Sequence, residues 1–495
     1  MIINLPGSTK GSVEMATFAL PGIPHAVSLL RDDKQSVKAA HDKIQSSHCH
    51  HHCHNQADSS VDLTQVARRA RESPYPMVEM DKAVAMVLQH AKGLASPITV
   101  PLRAAVGFVT AQSVRASEDL PPFRASVKDG YAVITADGAG PRQVVGNSFA
   151  GNPLESCELK SGQCARVTTG APVPAGSDAV VQVEDTKLLR EADEGKTELE
   201  IEILKAPSLG QDIRPIGSDM KKGQIVVEQN AVLNSPQIGL IAASGVSEVQ
   251  VYSLPQVAVL STGDEVQDPG LSSRPGCIFD SNRPMLLALL QQNGFPVHDM
   301  GIILDDPGEV LSKLREAMNT CDVVITSGGV SMGEKDYLKQ VLVKDLGAQI
   351  HFGRVQMKPG KPTTFATCQY QGKKKLLFAL PGNPVSAAVT SYLFTLPALR
   401  AMAGCPNPDN TFNITAKLGS EVRLDPRPEY CRAVLEWPKP PSAELPTAHL
   451  TGHQASSRLL SMHSANVLLV LPPRTEQQKL LPAGTLVSAM ILMHH

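Results

Sequence analysis

The chain has 495 residues, of which 46 are Lys or Arg and 48 Asp or Glu, for a net charge of −2. That length implies several domains, and the balanced charge gives no global basis for binding nucleic acid or an anionic membrane. No apolar run reaches a membrane span, the first residues lack a signal-peptide layout, and the nine cysteines are scattered, which fits a reducing cytoplasm.

Residues 1–32 read as a strand, a Leu5-Pro6-Gly7 turn and a helix, and the same layout returns at Leu376–Met402 around Leu380-Pro381-Gly382. One strand and one helix cannot bury a core alone, so the first copy is expected to be the tail of a longer domain. Residues 33–72 are polar and contain the His/Cys tract Ser46–Asn55. Its consecutive ligands predict a solvated linker that binds metal only adventitiously, because structural zinc sites use spaced pairs from a folded frame.

Order is expected from Ser73. Asp81 should cap a helix to about Lys92, with Ala83, Val84, Val87 and Leu88 on one face, and a second short helix is expected over Leu102–Val109. Residues 111–223 read as strands and turns, with period-two alternation at Glu198–Leu204 and polar loops at Ser126–Ala132, Thr168–Asp178 and Gln211–Gly223. A short helix follows at Ser235–Ala243.

From 255 to 403 strands and helices alternate: Val257–Leu260, helix Asn282–Gln292, Val297–Ile303, helix Asp306–Met318, Val323–Thr326, helix Glu334–Val343, and Leu376–Leu380 with the helix after it. This order predicts a mostly parallel α/β sheet, with ligands beyond the carboxyl ends of its strands. Those ends carry Thr262, Asp264, Glu265, Asp305, Asp306, Ser327, Gly328, Gly329 and Asn383. A diglycine turn alone is weak evidence, but several acidic turns on one rim favour a metal-bound phosphate. The segment His351–Pro362 brings Arg354, Lys358 and Lys361 within eight residues, cations that matter only if the loop lines a cleft. Neither a P-loop nor a GxGxxG fingerprint is present. Residues 404–495 read as a small β-barrel or sandwich.

In this order the motifs KDGYAV, RVTTGAPVPAGSDAVVQVEDT, QDIRPIG, STGDE, DSNR, ITSGGVSMGEKDY, MKPGKP and LPGNPVSA resemble those of the MoeA-type molybdenum insertases, from about Ser73 to the end. Residues 1–32 resemble the end of the MogA-type domain that two-domain animal members carry in front. The resemblance implies a multidomain α/β plus β chain: an elongated helical and strand region from residues 73–110 and 224–254, a β domain inserted in it at 111–223, a MogA-like, mostly parallel α/β domain at 255–403 and a C-terminal β-barrel at 404–495. It also implies a homodimer whose cleft lies between the α/β domain of one subunit and the β domain of the other.

The implied reaction takes adenylyl-molybdopterin and molybdate to molybdenum cofactor and AMP, assisted by Mg²⁺. By motif match, Asp129, Thr169, Asp219, Glu265, Asp305 and Asp336 are the catalytic positions, with Glu265, Asp305 and Asp336 on the metal. Arg354, Lys358, Lys361, Arg432 and Ser456 would line the anion and pterin side, and Ser327, Gly328, Gly329 and Ser331 would cradle the pterin phosphate. Which carboxylate serves as base stays open. ATP-dependent adenylylation would need the complete front domain. Some animal members also bind glycine and GABA-A receptor loops through aromatic anchors. Val84 and Gln478 stand at those positions here, so receptor clustering is not expected.

Overall fold

The structure is a computed structural model that describes residues 59–61, 74–154, 158–329, 337–409, 412–441 and 443–492. The chain divides into two compact units, Met1–Asp58 and Ser59–His495, and every described residue belongs to the second. The expected front-domain remnant and the His/Cys tract lie outside the described residues, as do Ser331 and Asp336.

Helix α1 spans Met80–Ala91 and buries Ala83, Val87, Leu88 and Ala91. Its N-cap is Glu79 and not the expected Asp81, which lies in the first turn, where its charge meets the positive end of the helix dipole. Strand β1 is Pro97–Pro101. Beyond it the expected helix at Leu102–Val109 is only a 3₁₀ turn, Leu102–Ala104, because Gly107 takes φ +83° and reverses the chain.

The insert contributes β2 (Gly130–Val133), β3 (Gly140–Ser148), β4 (Gln163–Val167), β5 (Ala179–Gln182), β6 (Thr186–Ala192) and β7 (Thr197–Ile203). They form one mixed sheet in the order β5-β2-β4-β3-β7-β6. Helix α2, Ser235–Ala243, leads to β8, Glu248–Tyr252, which pairs antiparallel with β1.

The α/β domain contains β9 (Val257–Thr262), α3 (Asn282–Gln292), β10 (Val297–Ile303), α4 (Pro307–Thr320), β11 (Val323–Ser327), α5 (Leu338–Lys344), β12 (Gln349–Phe352), β13 (Thr364–Tyr370) and β14 (Lys373–Leu380). The sheet order is β10-β9-β11-β14-β13-β12; the first four strands are parallel, β13 pairs antiparallel with β14, and β12 pairs antiparallel with β13. Every residue of β9 and β11 is buried, which explains their β-branched runs. Helix α5 starts at Leu338 and not at Glu334, since Tyr337 is already outside it.

After β14 come α6 (Pro384–Thr390), a π-turn at Ser391–Thr395 and α7 (Leu396–Met402). Pro397, with no N–H to donate, coincides with that interruption. Strands β15 (Asn413–Leu418), β16 (Glu429–Glu436), β17 (Thr447–Leu450), β18 (Val467–Leu471) and β19 (Leu486–Ile491) close a barrel in the order β15-β17-β16-β18-β19, which decides between barrel and sandwich.

Where α1 meets the sheet, the rings of His90 and His351 stack with centroids 3.8 Å apart, and Lys374 Nζ lies 3.0 Å from His90 Nδ1. His351 Nε2 is hydrogen-bonded to Thr367 Oγ1 at 2.8 Å, and Phe365 packs at 5.3 Å. Burial, then the neighbouring His90 and Lys374, push the His351 pKa down to about 4. A folded value below the unfolded one makes the neutral ring stabilising above pH 6.5, and this stability is lost as pH falls toward 4. Urea unfolding at pH 7 and pH 5 should differ by about 1 kcal/mol from this source after allowance for solvent screening, and the difference should vanish in His351→Gln.

Candidate functional site

The parallel register aligns the carboxyl ends of the central strands. Ser261 pairs with Ser327, Ser327 with Leu380, and Thr262 with Ile303. Beyond those ends, Gly328 takes φ +95° and Gly329 φ +65°. A Cβ on Gly328 would lie 2.5 Å from the Thr262 carbonyl oxygen, and one on Gly329 would lie 2.9 Å from Thr262 Oγ1. The β11 turn is therefore pressed against the end of β9, an approach that only glycine permits. The Gly328 N–H donates to the Leu380 carbonyl at 3.1 Å, fixing the turn beside the Pro381–Asn383 turn.

Ser327 plays a different part from the one its place in the motif suggests. It is 2% exposed, and its hydroxyl oxygen accepts from Asn282 Nδ2 at 2.7 Å. The same amide group donates to the Gly382 carbonyl at 2.7 Å.

The acidic turns lie along the same rim. Asp305 donates its backbone N–H to Asp264 Oδ1 at 3.1 Å, joining the β10 and β9 turns. The next residue, Asp306, caps α4 by accepting from the Glu309 N–H at 2.9 Å, so the two adjacent carboxylates have separate duties. Glu265 is exposed, and its backbone carbonyl accepts from Ile278 at 2.7 Å. Among the described residues no group of three or more His, Cys, Asp or Glu side chains is placed to hold a metal.

The basic residues divide. Arg354 donates through Nε to the Tyr75 carbonyl at 2.9 Å. Lys358 Nζ lies 3.0 Å from Glu429 and 3.2 Å from Asp425, so two barrel carboxylates offset its charge. Burial works against the Lys358 ammonium, but those carboxylates outweigh it and raise its pKa. Lys361 is exposed. Arg432 is fully buried: its Nε donates to Ser461 Oγ at 3.1 Å, its Nη2 to the Ala455 carbonyl at 3.2 Å, and its Nη1 has no hydrogen-bond partner among the described residues. It braces the barrel loop that carries Ser456. Ser456 Oγ accepts from Asn383 Nδ2 at 3.1 Å, which docks that loop on the β14 turn.

On the insert, Asp129 Oδ1 accepts the Thr169 N–H at 2.7 Å and its hydroxyl at 3.3 Å. Asp219 is ion-paired with Arg214. The pairing of Ser126 with Ile213, and the Gly170 N–H donated to the Ser126 carbonyl, hold these two acidic loops side by side.

The residues that link the rim are Asp280, Asn282 and Arg283, to which no role attached at the sequence level. Asp280 accepts from Ser261 Oγ and from the backbone N–H groups of Asn282 and Arg283, each at 3.1 Å. The Arg283 guanidinium pairs with Asp280 at 3.0 Å, with Asp299 at 2.5 Å and with Asp268. Four consecutive polar residues opening a largely apolar helix, DSNR, were the signal that could have marked them.

Three family models match in sequence along the chain: "MoeA N-terminal region (domain I and II)" over residues 78–245, "Probable molybdopterin binding domain" over 258–401, and "MoeA C-terminal region (domain IV)" over 415–492. Cinnamon, a molybdenum cofactor synthesis protein of Drosophila melanogaster, is 38% identical over 99% of this chain and 78% of its own length. The chain belongs to the MoeA family. Gephyrin of Dictyostelium discoideum is 35% identical over 99% of the chain and 77% of its own length, and a molybdopterin molybdenumtransferase of Haemophilus influenzae is 36% identical over 66% and 78%. The crystal structure of a Pyrococcus horikosii MoeA protein superposes with a TM-score of 0.68 at 28% identity, covering 84% of this chain and 99% of the other. The likeness to this MoeA structure agrees with the expected combination of α/β domain, β insert and barrel.

Proposed function

We infer that this protein is a molybdopterin molybdenumtransferase, which converts adenylyl-molybdopterin and molybdate to molybdenum cofactor and AMP. The observation that carries the reading is the glycine turn after β11, set beside acidic turns at the carboxyl ends of parallel strands in a chain built as MoeA proteins are. The backbone N–H of Gly329 is suited to receive the phosphate of the pterin, while that of Gly328 is spent on the Leu380 carbonyl and fixes the turn. Ser327 supports the turn from beneath and would not touch the ligand through its side chain. Asp129, Thr169 and Asp219 complete the cleft from the β insert, across the interface of a homodimer. Lys361 and Arg354 receive anionic groups, while Arg432 and Ser456 shape the wall of the barrel loop.

Mg²⁺ takes one or two carboxylates beside substrate phosphates and keeps several waters, so the absence of a three-ligand cage among the described residues is compatible with it. Glu265 and Asp305 would hold it, with Asp336 from outside the described residues. When bound, the ion offsets charge on the phosphoanhydride oxygens. The carboxylates orient water, the glycine turn fixes the phosphate, and the surrounding loops limit solvent.

No described helix is long and apolar enough to cross a membrane. We place the reaction in the cytoplasm.

Receptor clustering is not part of this reading. Val84 lines a groove of ≈ 780 Å³ with Asp81, Leu88, Pro397, Tyr392 and Tyr430, and presents no aromatic ring of its own. Two missing anchors at roughly 2 kcal/mol each lower affinity about a thousandfold. A calorimetric titration with a glycine-receptor loop peptide should therefore give no tight binding. Submicromolar affinity would restore the scaffold reading.

A further inference from the structure

Asn282 is joined to places far from it in sequence. It opens α3, where an Asn side chain ordinarily serves the helix's own free N–H groups. Its amide instead donates to Ser327, 45 residues away, and to Gly382, 100 residues away. The Gly382 partner is a carbonyl, which can only accept, so the amide orientation is determined and Nδ2 faces both strand ends.

Asn282 is 8% exposed, and its Oδ1 is buried with no hydrogen-bond partner among the described residues. Thr262 Oγ1, which the Gly328–Gly329 turn overlies, is buried and unpartnered in the same way. Leaving such atoms unsatisfied is unfavourable, and their cost is tolerated where geometry matters more than stability. Asn282 is itself held in place, since its N–H donates to Asp280, which also accepts from Ser261 on β9. One side chain thus pins the ends of β11 and β14 to the β9 side of the rim, from beneath the glycine turn.

We propose that Asn282 is the positioning residue that keeps the Gly328–Gly329 turn and the Gly382 turn in the shape that binds the pterin phosphate. This rests on the insertase reading above. It concerns a residue that acts through Ser327 and Gly382 and does not touch the substrate.

The test is steady-state kinetics of the full chain with adenylyl-molybdopterin and molybdate. Asn282→Ala should raise KM for the pterin about tenfold to a hundredfold, as a displacement near 1 Å at a binding loop does, with kcat within about threefold. Ser327→Ala should raise KM less, and the double variant should be no worse than Asn282→Ala, because both act through one contact. Should Asn282→Ala fail to fold, Asn282→Asp replaces it. That isosteric carboxylate cannot donate to Gly382 when ionised, but can when protonated, so its KM should return toward the wild-type value as pH falls. A wild-type KM in Asn282→Ala, effects that multiply in the double variant, or a pH-independent KM in Asn282→Asp would each overturn the proposal. No turnover by the wild-type chain would instead overturn the insertase reading and the proposal with it.

Discussion

Gly328→Ala should abolish cofactor formation and cost about 2–4 kcal/mol of stability. Two effects combine. At φ +95° a residue with a Cβ is strained, and the Cβ would meet the Thr262 carbonyl oxygen at 2.5 Å. That oxygen belongs to the backbone at the end of a fully buried strand, held by pairing to β10 and β11, so it cannot move aside as a flexible side chain could. The turn must lift from β9, which also breaks the Gly328 N–H bond to Leu380. Denaturant unfolding measures the first effect and an insertion assay the second. A variant with native stability and turnover would show that this turn is neither tight nor part of the site.

Glu265→Gln and Asp305→Asn should each lower kcat about a hundredfold to a thousandfold while leaving the fold intact. Both lie on turns and neither is buried, so loss of charge should disturb packing little. Asp305 has an internal control in its neighbour. Asp306→Asn keeps the acceptor that caps α4 and loses only the charge at the helix N-terminus, so it should cost less than about 1 kcal/mol of stability while activity is retained. If Asp306→Asn were the inactive variant and Asp305→Asn the active one, the assignment along the Asp305–Asp306 turn would be reversed.

Local pattern was enough to locate the rim. Buried β-branched runs marked β9 and β11, alternation marked β7, and the helices Ser235–Ala243 and Asn282–Gln292 fall where their apolar spacing predicts. What local pattern could not carry was the partner of each polar group. Lys358 read as one of three cations for the anion and pterin side because Asp425 and Glu429, which offset its charge, come some seventy residues later on the barrel. Ser327 read as a ligand contact because its inward hydroxyl depends on an Asn from another turn. Asp81 read as a cap because cap and first turn differ only by the backbone conformation of Glu79. Arg283 was marked only by its place in the DSNR run. Of the three carboxylates around it, Asp280 is a local partner three residues away, while Asp268 and Asp299 come from separate segments that only the folded sheet brings to it.

The most direct test is a defined reaction of the purified chain with adenylyl-molybdopterin, molybdate and Mg²⁺. AMP release is followed beside reconstitution of a cofactor-free molybdoenzyme. Release of AMP in step with molybdoenzyme activity, lost together in Glu265→Gln and Gly328→Ala, is the predicted result. Molybdoenzyme activity no greater than without the protein, or AMP released with no active cofactor formed, would contradict it.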